Sequence, residues 1–282
     1  MLIAFASDYG LADEFVGVCK AVMLGIAPDA RIVDLAHDIP PHDVRAGALL
    51  IVRAIQYLPE GSVVVAVVDP GVGTDRRLVG VEVEGGIVLG PDNGLLAPAV
   101  AMVGGPRRVV SLENREYQLE APGATFAGRD ILAPAAGHLA AGGDLGALGP
   151  EVDPAGLVPG VVSLPEARPG GAIAAEVWWV DRFGNCQLNV DPDVLVEAGT
   201  SPGSRVEVRF AHEVRAARWV RTYADAKPSE LVLVVDSYGL LSLALDRESA
   251  ATTFGLRAGS AVNLVPEGAS EPVNVDAPET RP

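Results

Sequence analysis

The chain has 282 residues, 49% of them hydrophobic, with a formal net charge of -16 and only two lysines, Lys20 and Lys227. That length and apolar content suit a core large enough for two domains. The acidity excludes phosphate-backbone recognition as the main activity, since nucleic acid binding needs a concentrated basic surface. Leu2 to Ala6 reads as a first strand, with SDYG placing Asp8 at its carboxyl end. Asp13 to Ile26 has helical apolar spacing, with Asp13 and Glu14 predicted in the first turn, where the helix dipole favours acids. Ala30 to Leu35 is a second strand, followed by a cluster of His37, Asp38, His42 and Asp43. Its two prolines break the helical spacing that a metal pair would use, so turn and cap chemistry is expected and no metal site is assigned. Asp43 is placed to cap an apolar helix from Val44 to Tyr57.

The run Ser62 to Val68, SVVVAVV, is short, continuous and β-branched, as in a strand covered on both faces of a parallel sheet. It ends directly in VVDPGVGTDRR, so Asp69 emerges at the carboxyl edge, where open α/β sheets place ligands, with Arg76 and Arg77 returning on the same loop. A strand pair over Leu78 to Glu84 and Gly86 to Leu89 leads to the turn GPDNGLL, and Gly123 to His138 reads as a loop entering a small-residue helix. The alternation predicts a layered α/β domain with a mostly parallel sheet over 1–160. Gly149 to Gly171 is rich in Pro and Gly, and a linker is placed at 161–171.

Beyond the linker, Ala172 to Val180, Arg205 to Phe210, Glu230 to Val235, Leu240 to Leu245 and Ala261 to Leu264 read as strands. A smaller antiparallel β-barrel-like domain is therefore expected over 172–266, with an acidic, disordered tail over 267–282. Two polar loops stand out in it, DRFGN at Asp181 to Asn185 and DSYG at Asp236 to Gly239. No GxGxxG follows the first strand, so a dinucleotide cofactor is not indicated. The opening residues lack a basic leader pattern and no run is long enough to span a membrane. With two cysteines far apart, no disulfide framework is suggested and a cytoplasmic setting is the expectation.

SDYG, DLAHDI, VVDPGVGTDRR, PDNGLL, TFAGRDILAP, DRFGN and DSYGLL, in that order over residues 7 to 241, together resemble the S-adenosylmethionine (SAM) hydrolases, or SAM hydroxide adenosyltransferases. That family is related to the SAM-dependent fluorinating and chlorinating enzymes. The resemblance implies a homotrimer, each site lying between the amino-terminal domain of one subunit and the carboxyl-terminal domain of its neighbour. It implies Asp8 on the ribose diol, Asp181 and Asn185 on the methionine amine and the adenine, and Ser237 and Tyr238 on the methionine carboxylate. SAM is then the substrate and no cofactor is needed.

The reaction so implied is attack of water or hydroxide on ribose C5′, giving adenosine and L-methionine. Hydrolytic members use an Asp, Arg and His set beside that water, and Asp69 and Arg76 fall on the first two positions. The third departs from the pattern: Ala127 stands where the imidazole precedes GRD, which implies slowed turnover. His42, following Pro41, is expected beside the ribose in partial replacement. Two alternatives remain open at this level, a chlorinase-like halogenation and a non-catalytic SAM or adenosine binder. The Asp69 carboxylate disfavours the first by repelling halide.

Overall fold

The computed structural model describes residues 1–211 and 213–269, which form two compact units, 1–162 and a second beginning at Ser163. Part of the predicted acidic tail, from 270 onward, lies outside the described residues.

In the first unit, β1 (Leu2–Ser7) leads to α1 (Phe15–Ile26), β2 (Arg31–Ala36), α2 (Val44–Ile55) and β3 (Ser62–Val67). β4 (Leu78–Val83) and β5 (Gly86–Pro91) form a hairpin, followed by α3 (Ala97–Met102), β6 (Arg108–Ser111) and α4 (Ala133–Ala140). One sheet takes the order β2-β1-β3-β5-β4-β6, parallel from β2 through β5 and antiparallel around β4. β3 is buried at every position, the result of its β-branched residues meeting helices on both faces. Ile3, Phe5, Val63, Val65 and Val67 pack against Val16, Cys19 and Met23 of α1 and Ala133 and Ala136 of α4. The alternate residues of the same strands face α2, where a β-carbon on Gly47 would stand 2.7 Å from Leu95 and 2.9 Å from Val68.

Asp43 caps α2 as expected, its Oδ1 accepting from the Ala46 amide at 2.8 Å. α1 differs from expectation: it begins at Phe15 with Glu14 as its N-cap, so Asp13 and Glu14 precede the first turn. The segment expected as one helix opens instead with a π-helical turn, Gly128–Leu132, which widens the coil around Arg129 and Asp130 before α4 begins.

Arg77, next to the central loop, has a structural task. It donates to Asp92 through Nε (3.1 Å) and a terminal nitrogen (2.6 Å), and Asp92 also accepts from the Val158 amide at 2.8 Å. The Asp92 side chain is 4% exposed. Arg77→Ala would leave that buried carboxylate with only the Val158 amide as partner, so a loss of about 1–3 kcal/mol in chemical denaturation is expected.

The second unit contains β7 (Glu166–Ala167), β8 (Ile173–Val180), β9 (Cys186–Leu188), α5 (Pro192–Glu197), β10 (Arg205–Phe210), β11 (Glu213–Val220), β12 (Val232–Val235), β13 (Leu241–Ala244), α6 (Ala250–Phe254) and β14 (Ala261–Pro266). The stretch 161–171, read from sequence as a linker, thus carries a short strand paired on β8 through Glu166 and Ala174. The order β14-β10-β11-β12-β13-β9-β8 closes through a β14–β8 pairing into a seven-strand, mostly antiparallel barrel; only β11 and β12 run parallel. Inward residues Val177, Leu188, Val206, Val208, Trp219, Leu233, Leu243 and Val262 fill it. No helix among the described residues is long and apolar enough to cross a membrane.

Candidate active site

The sheet order of the first unit fixes where chemistry can gather. From β1 the chain moves outward to β2, then crosses back to place β3 on the other side of β1, so the helices diverge and a crevice opens at the carboxyl ends of β1 and β3. Ser7 of β1 lies opposite Val67 of β3, and the Asp8 amide donates to the Val67 carbonyl at 3.2 Å. The two carboxylates picked out from the sequence, Asp8 and Asp69, therefore leave neighbouring strands at that crevice.

Asp69 is held by Arg76 from the far end of its own loop. Arg76 Nε lies 3.0 and 2.9 Å from the two carboxylate oxygens, and a terminal nitrogen bonds Oδ2 at 2.5 Å. The Asp69 side chain is 6% exposed and that of Arg76 17% exposed, so the pair is largely shielded and a carboxylate faces a guanidinium in a fixed fork. The loop is folded tightly enough to make this reach: Val72 donates to the Asp69 carbonyl, Thr74 to that of Gly71, and Gly73 takes a φ of +81° that favours glycine. Asn93 of the PDNG turn braces the loop by donating to the Val68 carbonyl at 2.9 Å.

Asp8 accepts from the main-chain amide of His42 at 2.9 Å. His42 adopts a φ of 67°, unusual for a residue with a side chain, and its ring is exposed. Its observed link to Asp8 is therefore through the backbone. His37 is a different case: buried in the core, its Nδ1 lies 2.7 Å from Ser7 Oγ and its ring packs edge-on against Phe5. No group of three His, Cys, Asp or Glu among the described residues is placed to hold a metal ion.

Ala127 is 8% exposed and joins the apolar cluster under the sheet. Beside it Arg129 pairs with Asp130 and stacks on Phe126, its charged group 4.9 Å from the ring centre. Asp130 holds the guanidinium charge of Arg129 above its ordinary range. Tyr9, the third residue of SDYG, carries no role read from the sequence; its ring meets both Phe15 and Phe126 edge-on. The motif contains it, but its place depends on two aromatic partners, one of them distant along the chain.

In the second unit the DRFGN and DSYG loops flank the β9–β13 pair. Asp181 Oδ1 accepts from the amides of Phe183 and Asn185, and its Oδ2 accepts from the Asn185 side chain at 2.8 Å. The predicted Asp181 and Asn185 are thus brought into contact. Ser237 and Tyr238 are exposed on the second loop, whose Asp236 accepts from the Tyr238 and Leu240 amides. Gln187, absent from the predicted set, ties the second loop to β9 by donating to Asp236 at 2.5 Å. Tyr223 is likewise outside that set; partial burial and the nearby Asp181 and Asp236 carboxylates push its phenol upward.

Comparison with known proteins adds an independent line. The model of the SAM hydroxide adenosyltransferase N-terminal domain matches residues 3–149, and that of the C-terminal domain matches 175–263. An (R)-S-adenosyl-L-methionine hydrolase from Salinispora tropica is 43% identical over 93% of this chain and 97% of its own. A fluorinase from Actinopolyspora mzabensis is 30% identical over 93% of this chain and 96% of its own. Among solved structures, an uncharacterized conserved protein from Thermotoga maritima superposes with a TM-score of 0.86 at 31% identity, covering 93% of this chain and 99% of that one.

Proposed function

We propose, from the premise that this chain belongs to the SAM hydroxide adenosyltransferase family, that it hydrolyses (R)-S-adenosyl-L-methionine to adenosine and L-methionine. The observation that carries the reading is the Asp69–Arg76 fork at the β1/β3 crevice beside Asp8. Water attacks ribose C5′ in line with the departing sulfur. Its oxygen bonds to carbon, the C–S bond breaks, and the electron pair leaves with methionine as a neutral thioether. A sulfonium needs no acid to depart, so the site's work is to position the water, exclude solvent and accept a proton. Asp69, held in orientation by Arg76, lines up that water and takes the proton late in the step.

Asp8 accepts both hydroxyl hydrogens of the ribose diol, a geometry that a carboxylate suits. His42 fixes the Asp8 rotamer through its amide and lies beside the ribose. Asp181 and Asn185 serve the methionine amine and the adenine, and Ser237 and Tyr238 the methionine carboxylate. Each active site is completed by the second unit of a neighbouring subunit in a homotrimer. The exposure of Phe183 (77%) and Tyr238 (48%) on these loops supports that reading, since both rings gain by being covered. Cys19 and Cys186 are free, buried thiols, in keeping with a cytoplasmic setting.

Halide as nucleophile is disfavoured by charge. A halide about 4 Å from the Asp69 carboxylate would meet a repulsion of about 4 kcal/mol at an effective dielectric of about 20. The test is to incubate the protein with a mixture of both sulfonium epimers in chloride buffer and follow each by chiral chromatography. Loss of the R epimer with equal yields of adenosine and methionine is expected. A 5′-chloro nucleoside would reverse the choice of nucleophile, and binding without product would leave only a SAM binder.

A further inference from the structure

Tyr9 follows Asp8 directly and turns its ring inward. The ring stands 5.8 Å from Phe15 and 5.6 Å from Phe126, and those two rings meet at 5.2 Å. Two edge-on contacts hold the phenyl body, and with it the hydroxyl, against a pair of rings that also meet each other. That hydroxyl lies over the π-helical turn: a β-carbon built on Gly128 would collide with it, so a side chain there would force the tyrosine ring to move. The preceding residue, Ala127, offers only a methyl group to this space.

The Tyr9 hydroxyl has no hydrogen-bond partner among the described residues. Four groups face it electrostatically: Asp8 on its own loop, Asp69 after β3, Asp130 on the π-helical turn and the Cys19 thiol of α1. Burial first, then these four groups, push its ionisation well above the ordinary phenol range. Tyr9 therefore keeps its proton, and because the residue is only half-buried its O–H is open to a bound water.

We propose that Tyr9 is a positioning residue for the nucleophilic water, its hydroxyl and Asp69 together holding that water on the side where Ala127 supplies no polar atom. This deepens, and rests on, the hydrolytic reading above. The phenol donates its hydrogen to one lone pair of the water, while Asp69 accepts one of the water's hydrogens. The water's second lone pair is thereby left facing C5′. As the C–O bond forms, the proton goes to Asp69 and the electron pair of the C–S bond leaves with methionine. Tyr9 ends the step as it began it, protonated.

Tyr9→Phe isolates the hydroxyl, because the ring and its two aromatic contacts stay. A fall in kcat of about 10- to 100-fold is expected, with KM for (R)-SAM and the calorimetric Kd for adenosine unchanged and Tm not lowered. On the Tyr9→Phe background, Ala127→His supplies a polar group beside the vacated hydroxyl position and should recover part of the lost kcat. Parental kcat in Tyr9→Phe would overturn the proposal. So would a parallel rise in KM and adenosine Kd, which would assign Tyr9 to substrate binding. If the parent protein itself makes no adenosine, the hydrolytic reading falls and this proposal falls with it; if the parent turns over and Tyr9→Phe matches it, only this proposal falls.

Discussion

Asp69→Asn is expected to lower kcat by about 100- to 10,000-fold, the range for removing a positioned proton acceptor. Adenosine affinity should stay within a few-fold of the parent. The substitution keeps the shape of the side chain, and the amide oxygen can still accept from Arg76 Nε, now about 3 Å away. What it removes is the negative charge and the basic lone pair facing the nucleophile. The released guanidinium is 17% exposed and can recover part of its hydration, so a modest stability loss of about 1–2 kcal/mol is expected rather than unfolding. Single-turnover kinetics with calorimetry on the same preparation separates the two effects. A variant with near-parental kcat would remove Asp69 from the chemistry.

Asp8→Ala is expected to act on binding. Two charge-assisted bonds to the ribose diol, each worth about 1.5–3 kcal/mol, correspond to a rise of about 100-fold or more in adenosine Kd and in KM. The amide of His42 loses its acceptor as well, so the left-handed residue that now positions Asp8 is no longer tied to it. A chemical counterpart sharpens the test. 2′-Deoxyadenosine, which keeps only the 3′-hydroxyl, should bind the parent less tightly and lose less further affinity than adenosine in Asp8→Ala, because one of the two contacts is already gone. Equal losses for both ligands would show that Asp8 acts elsewhere than on the diol.

The parts of the molecule that are legible in the sequence are those decided locally. SVVVAVV reads as a buried strand because its β-branched residues admit little else, and Asp69 follows it without a spacer, so the strand-end carboxylate is visible in the order of residues alone. Asp43 announces a cap in the same way. What escapes such a reading is decided at a distance. β11, EVRAARWV, has no clean alternation because Arg215 and Arg218 lie on it among alanines, and only barrel closure turns Ala217 and Trp219 inward. β9 spans three residues, too few to carry a period, and the Gly128–Leu132 π-turn follows from packing rather than composition.

The site divides along the same line. Asp8, Asp69 and Arg76 stand out by position on strand ends and loops, and Asp181 and Asn185 by a compact polar motif. Gln187 is hidden inside β9 and gains meaning only from Asp236, 49 positions further along the chain. Tyr9 likewise depends on Phe126 and Gly128 coming over the first loop. Motifs therefore locate the groups that carry charge, while the neutral groups that orient them emerge only in three dimensions.

The central claim is that water, held by Asp69, displaces methionine at C5′. Its most direct test is turnover of (R)-SAM in water enriched in heavy oxygen, with the adenosine read by mass spectrometry. The account predicts adenosine two mass units heavier, with the label on the 5′ oxygen and none in methionine, and loss of that product in Asp69→Asn. Unlabelled adenosine, a 5′-halogenated nucleoside, or labelled product undiminished in Asp69→Asn would contradict it.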